Sequence, residues 1–325
     1  MLAKSFVGER MSRVLEVRSL AELWSLLFKT EVPAVPEFFL AQKIEQTAEK
    51  KFLDDYIKLL RSYSHPPQVL IWLLRFYDID NLKDIAAALC LEKQDMPYLA
   101  DIGSYSFLHY NRWPDIAAIT RGTPVAWYNA VPDIHSQHAM DLRLDREYTQ
   151  ELWRSVEALA AADRETVEPL IKEEIVINNI LWALRLRIYY GMDDDAIKAR
   201  LVNAAVGEIN DLASPALAVL KRPVDSFAAW EDWKYADLLN PHEEGAVWKI
   251  DPRWVELSAK VMLQKKAAAV FHKDPFSVSV LVSWFKLKQY ELNCIRTVAE
   301  GLRLNVGASQ MAEVTGFHTH AAIIN

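Results

Sequence analysis

The chain runs to 325 residues, 51% of them hydrophobic and 25% charged, with a formal net charge of −7. That is roughly two domains' worth at ~150 residues each, and its acidity argues against nucleic-acid binding, which needs a basic stripe to displace counterions. The two cysteines, Cys90 and Cys294, give no disulfide framework and fit a reducing cytoplasm, and no run reaches the ~18 apolar residues of a membrane span.

Glycine is scarce, nine in all, and neither Asn-Gly nor Asp-Gly occurs. Few tight turns among long 3.6-periodic runs predict an all-α fold. The opening MLAKSFVGERMSR meets charge before any apolar stretch long enough for a signal peptide. Residues 19–28 predict a helix capped by Ser19, with Glu22 completing a capping box, and Pro33 and Pro36 follow it. A long helix over 37–63 stops at Pro66-Pro67, and a second covers 68–90. Residues 101–122 are turn-rich and read as loop with short helices. Helices are expected at 134–159, at 167–190 and, after the turn Gly191-Met192-Asp193, at 193–206. Ser214-Pro215 to Pro223 suggests a boundary. Residues 227–239 and a polar turn at 240–245 lead to a helix at 251–271, then to a long amphipathic helix at 274–304 started by Asp274-Pro275. The tail from Gly307 is small, polar and weakly periodic, and reads as loosely held.

The helix at 274–304 recurs earlier in the chain. Its apolar stripe carries Trp284, Leu287, Ile295, Val298 and Leu302, with Glu291 on the same face. Residues 71–89 match it without a gap: Ile71 on Trp284, Leu74 on Leu287, Asp78 on Glu291, Asn81 on Cys294, Leu82 on Ile295, Ile85 on Val298 and Leu89 on Leu302. A weaker copy at 174–187 sets Asn179-Ile180 on Asn81-Leu82, with Val176 in place of the acid. The chain therefore reads as three diverged helical units, at a period too long for a tetratricopeptide or ankyrin array.

Chemistry-bearing motifs are few. Asp193-Asp194-Asp195 lacks the second acid pair one turn on that a magnesium-diphosphate site would need, and reads as a solvated helix start. His135/His138 and His318/His320 have no third ligand at zinc spacing. No nucleotide-binding or nucleophile-elbow motif occurs, so no cofactor is expected. Asp78 and Glu291 are the informative acids, because a carboxylate on a buried stripe is costly unless bonded. The functional reading is a general acid or ion site. The structural one is an acid that accepts bonds from a neighbouring helix end or an arginine, and its repetition favours that reading. Trp72, Trp182 and Trp284 fall in the three central helices and read mostly as core, a few tryptophans being available to a partner.

Over residues 5–305 these motifs resemble the C/d family of central-stalk rotor subunits of V-type and archaeal-type rotary ATPases. The resemblance rests on Tyr77-Asp78-Ile79-Asp80-Asn81-Leu82-Lys83, on Asn179-Ile180 with Arg185, and on Asp274-Pro275-Phe276. It also rests on Glu291-Leu292-Asn293-Cys294-Ile295-Arg296, on LDREY at 144–148 and on Gly8-Glu9-Arg10. Cys294 stands where the family has asparagine, and Val176 where it has an acid. The resemblance implies a funnel of three pseudo-symmetric helical units, set here at 1–122, 123–214 and 215–325, with Asp78, Asn81, Asn179, Arg185, Glu291, Cys294 and Arg296 as its structural repeat motif. It further implies a non-catalytic central-stalk component, peripheral on the cytoplasmic face of a membrane, that seats the D–F shaft and couples it to the proteolipid rotor ring. A generic α-helical protein-binding scaffold is the alternative, and an all-helical enzyme using Asp78 or Glu291 a further one.

Overall fold

The computed structural model describes residues 5–204, 210–242 and 245–316. Among these there are twelve α-helices, short 3-10 turns and no strand. In chain order they are α1 (Ser12–Leu15), α2 (Leu20–Phe28), α3 (Glu37–Leu60), α4 (Gln68–Cys90), α5 (Ile116–Thr120), α6 (Gln137–Glu157), α7 (Ala161–Tyr190), α8 (Asp194–Lys198), α9 (Ser214–Leu220), α10 (Pro252–Phe271), α11 (Ser279–Arg303) and α12 (Ala308–Val314).

Several starts and stops follow from local chemistry. The Ser19 hydroxyl accepts from the Glu22 amide and the Glu22 carboxylate accepts from the Arg18 amide, so the first turn of α2 is closed from both sides. Asp193 and Asp251 cap α8 and α10 from one side, accepting from the Ala196 and Arg253 amides. Gly191, at φ 60°, takes the left-handed position that ends α7.

Five elements differ from the sequence expectations. α11 begins at Ser279 rather than at Asp274-Pro275, because Asp163 of α7 accepts from the Val278 amide and the Ser277 hydroxyl and so caps the helix from outside. α7 correspondingly extends back to Ala161. The helix expected over 193–206 stops at Lys198, since Asn179 takes the backbone N–H and C=O of Val202 that a helix would have used; residues 205–209 lie outside the described residues. Ser214–Leu220 is a helix with proline in its first turn, packed on α7. The tail forms α12, whose Met311 is 3% exposed and rests on α11 at Gly301. A Cβ at Gly301 would lie 2.5 Å from the Met311 sulfur, so glycine permits the close approach there.

The long helices pack in a cyclic order. α4 lies against α6, α7 against α10, and α11 against α3, each central helix on the outer helix that follows it, the last on the first. Every such pair is antiparallel: Trp72 meets Tyr148 while Lys83 meets Asp145, Glu173 meets Lys266 while Arg185 meets Glu256, and Trp284 stacks on Tyr56 while Arg303 covers Phe38.

The apolar core is divided accordingly. The N-terminal halves of α4, α7 and α11 converge in one cluster containing Leu73, Tyr77, Leu170, Ile171, Trp284 and Phe285. Their C-terminal halves enter three separate clusters: Ile79–Ala86 with Leu144, residues 176–186 with Val255 and Ala259, and residues 294–299 with Leu40, Ile44 and the N-terminal helices. At about 1.5–3 kcal/mol for each fully buried large apolar side chain, the three outer clusters are substantial cores in their own right. Two of them straddle positions 122 and 214, because each joins one central helix to the next outer one.

Candidate functional site

Asp78 is fully buried, on the face of α4 that meets the loop after it. Its carboxylate accepts from the Ser106 hydroxyl at 2.7 Å, the Phe107 amide at 2.9 Å and the Tyr110 hydroxyl at 2.6 Å. Burial raises its pKa, and those three donors together with Arg75 pull it back down. One turn on, the Asn81 carboxamide accepts from the Ala100 amide and donates to the Ala100 carbonyl, both at 2.8 Å, and also donates to Tyr110. Asn179 makes the same two-sided clasp on Val202, at 2.8 Å in each direction, and donates again to the Leu212 carbonyl. In both units the asparagine stands in for a missing strand partner and satisfies backbone that would otherwise be orphaned.

The third copy is different. Glu291, 3% exposed, accepts from the Phe6 amide at 2.8 Å and pairs with Lys288. Cys294 occupies the asparagine position, 3% exposed, with its thiol pushed up to about 12, chiefly by burial. In the second copy Val176 takes the acid's place and is simply core, 4% exposed. The acids thus accept from loop backbone and hydroxyls, with an intrahelical lysine for Glu291, rather than from a neighbouring helix end or an arginine.

Arg185 and Arg296 belong to a second repeated device. Arg185 of α7 pairs with Glu256 of α10, Arg296 of α11 with Glu49 of α3, and Lys83 of α4 with Asp145 of α6. Each central helix therefore holds the next outer helix by a cross-helix ion pair, α7 by a second one between Glu173 and Lys266. Glu49 is the most enclosed member: burial raises its pKa and Arg296 opposes the rise. Lys83 and Asp145 lie in the motifs at 77–83 and 144–148, whereas Glu256 and Glu49 carry no local motif, and only the periodicity of their helices could have pointed to them.

Where the central helices part there is a cavity of about 580 Å³, lined by α4, α6, α7, α10 and α11 together with Val314 and Thr315. Its wall is mixed and more apolar than polar, setting Phe76, Tyr148 and Trp182 beside the carboxamides of Asn178, Gln264 and Asn293 and the charges of Asp80, Asp145, Glu174, Lys260, Lys286 and Arg296. Glu174 and Lys286 pair across it. Asp80, although 45% exposed, titrates at about 6: the enclosing walls raise it, Lys83 lowers it, and Asp145 and Asp84 raise it. Trp182, 38% exposed, opens onto the cavity, whereas Trp72 and Trp284 are core.

His135 and His138 are exposed, and His318 and His320 lie outside the described residues. No cluster of three metal-ligating side chains occurs among the described residues, and no helix among them is long and apolar enough to cross a membrane. Each carboxylate of the repeat is engaged in holding backbone or a facing helix.

Comparison with known proteins adds two findings. Residues 2–314 match the family described as ATP synthase (C/AC39) subunit. The chain is also 30% identical over 300 residues to a protein of Treponema pallidum (strain Nichols) described as uncharacterized, the match covering 92% of this chain and 88% of that one.

Proposed function

The chain belongs to the ATP synthase (C/AC39) subunit family, and from that premise we propose that it is the central-stalk piece that couples a D–F shaft to a proteolipid rotor ring. Members of the family are non-catalytic stalk subunits of rotary ATPases, so the chain is a rotary-ATPase subunit and not itself an enzyme.

The observation that carries the proposal is the divergence of three repeated central helices around one cavity. A torque coupler needs a stiff body and a socket. Close-packed helical cores resist deformation, and the cyclic ion pairs tie each central helix to the next outer helix. In this reading the three units, with sequence limits at 122 and 214, form a funnel and the cavity is its interior. Asp78, Asn81, Asn179, Arg185, Glu291, Cys294 and Arg296 then act in packing, the shaft seats in the funnel, and the protein lies on the cytoplasmic face of the membrane without spanning it.

The test is a pull-down of the tagged chain from mildly solubilised host membranes. Co-recovery of the ring proteolipid, the shaft pair and the nucleotide-binding head supports the coupler. Recovery of soluble partners alone would refute it and leave a helical scaffold.

A further inference from the structure

The helical repeat carries a second charged position, about one turn before its acid. Arg75 stands there ahead of Asp78, Lys288 ahead of Glu291, and Glu173 ahead of Val176. In the second and third units that charge is answered inside the chain. Lys288 pairs with Glu291. Glu173 accepts from Lys266 at 2.8 Å and from the Tyr235 hydroxyl at 2.6 Å, with Lys234 at 3.4 Å.

Arg75 is the exception. Among the described residues it has neither a hydrogen bond nor an ion pair, and its Nε is sealed from solvent without an acceptor. Asp78 is engaged instead by Ser106, Phe107 and Tyr110. The Arg75 guanidinium lies on two rings, 4.7 Å from the Trp72 centroid and 5.5 Å from that of Phe107. Such stacking fixes the plane of the group and leaves the donors on its edge unused. The residue is half-buried, and its two terminal nitrogens are the ones that reach solvent. Burial pushes its pKa down, while Asp78 and Glu151 oppose the fall. Glu151 is itself held by Arg154 on α6. A cation that has shed water without gaining an acceptor is costly, and this one is held flat and rigid, as a planar anion requires.

We propose that Arg75 is a docking point for a carboxylate carried by another subunit, received edge-on by the guanidinium where α4 meets the loop at 105–108. The flat fork of donors matches a carboxylate's two oxygens. The charge balance favours that group over a phosphate. Arg75 offers one positive charge with Asp78 and Glu151 acting on it, in a chain of net charge −7, so a free dianion is repelled. An acid brought by a docked protein is held in place by the rest of that interface. The inference requires that the chain be one subunit of an assembly, and it does not depend on the shaft-and-ring reading.

Arg75→Lys supplies an amine at the same place. Complexes recovered on the tagged chain from mildly solubilised host membranes are treated with a water-soluble carbodiimide. The amine should condense with the facing carboxylate to an amide, the carbodiimide taking up the water as its urea. Mass spectrometry should then find residue 75 joined to an Asp or Glu of another chain, a link the wild-type guanidinium does not form. A link to Asp78 or Glu151 alone would overturn the proposal, and so would no link at all. Arg75→Met should lower retention of the partner by about tenfold or more, the loss of one charge-assisted contact. The isolated variant should melt at or above the parent's midpoint, since a desolvated charge has gone. A variant that melts well below the parent and assembles as the parent does would make Arg75 an internal packing group and refute the docking role. If excess inorganic phosphate raised the midpoint of the isolated wild-type chain but not of Arg75→Met, the site would take small anions and the docking role would fall.

Discussion

The asparagine clasp gives the sharpest quantitative test. Asn81→Ala removes the acceptor of the Ala100 amide and the donor to the Ala100 carbonyl, both at 2.8 Å, at a residue only 5% exposed. Tyr110 keeps its bond to Asp78, so its loss is minor. Leaving a buried backbone N–H and C=O unmet costs about 1–3 kcal/mol for each group, and about 1.5 kcal/mol for each gives about 3 kcal/mol for the pair. Unfolding entropy near 2.1 cal/mol/K per residue amounts to ~0.7 kcal/mol/K for a chain of 325 residues, so the melting midpoint should fall by about 4 °C. Asn81→Asp should lose more, because it sets a carboxylate against the Ala100 carbonyl beside the buried Asp78. Asn179→Ala should lose a similar amount, and the double variant should be additive to within about 0.5 kcal/mol, since the two clasps lie on different helices and share no partner. Differential scanning calorimetry on the four chains reads all of this. A midpoint for Asn81→Ala within 1 °C of the parent, on the scale set by ~0.7 kcal/mol/K, would refute the reasoning.

Other perturbations follow from the same geometry. Arg296→Ala strands Glu49, whose side chain is 7% exposed, and should destabilise the chain by roughly 3 kcal/mol in urea titration; Lys198→Ala, at an exposed pair, should leave the midpoint where it is. Asp80 titrates at about 6, above its ordinary 3.8, so the folded state holds its proton more tightly than the unfolded chain does. Its contribution is therefore present below about pH 4 and lost as pH rises to about 6. In Asp80→Asn the stability–pH slope between these values should flatten, and a slope equal to the parent's would contradict the assignment. Cys294, 3% exposed and with its thiol pushed up to about 12, should resist iodoacetamide at pH 8 in the native chain and react after unfolding, which mass spectrometry of the alkylated peptides will show.

The helices themselves are largely legible in the sequence. Period and punctuation locate 68–90, 252–271 and the body of 279–303, since those signals are local: an apolar stripe, a capping side chain, a proline at the first turn. The repeat is legible too, because Asp78 and Glu291 are costly on an apolar face and therefore conspicuous there.

What the sequence does not carry is which groups those side chains meet. Nothing local to Glu291 names Phe6 as its donor, and nothing near Arg296 names Glu49, because those pairs are separated by most of the chain. The helix ends that local signals misplace are those decided from outside, by Asp163 at the start of α11 and by Asn179 at Val202. The cavity is invisible for the same reason: it is the space left where three helices part, a property of their arrangement and of no single helix. Periodicity determines which face of a helix is buried. Only the cyclic packing of α4 on α6, α7 on α10 and α11 on α3 decided what each face was buried against.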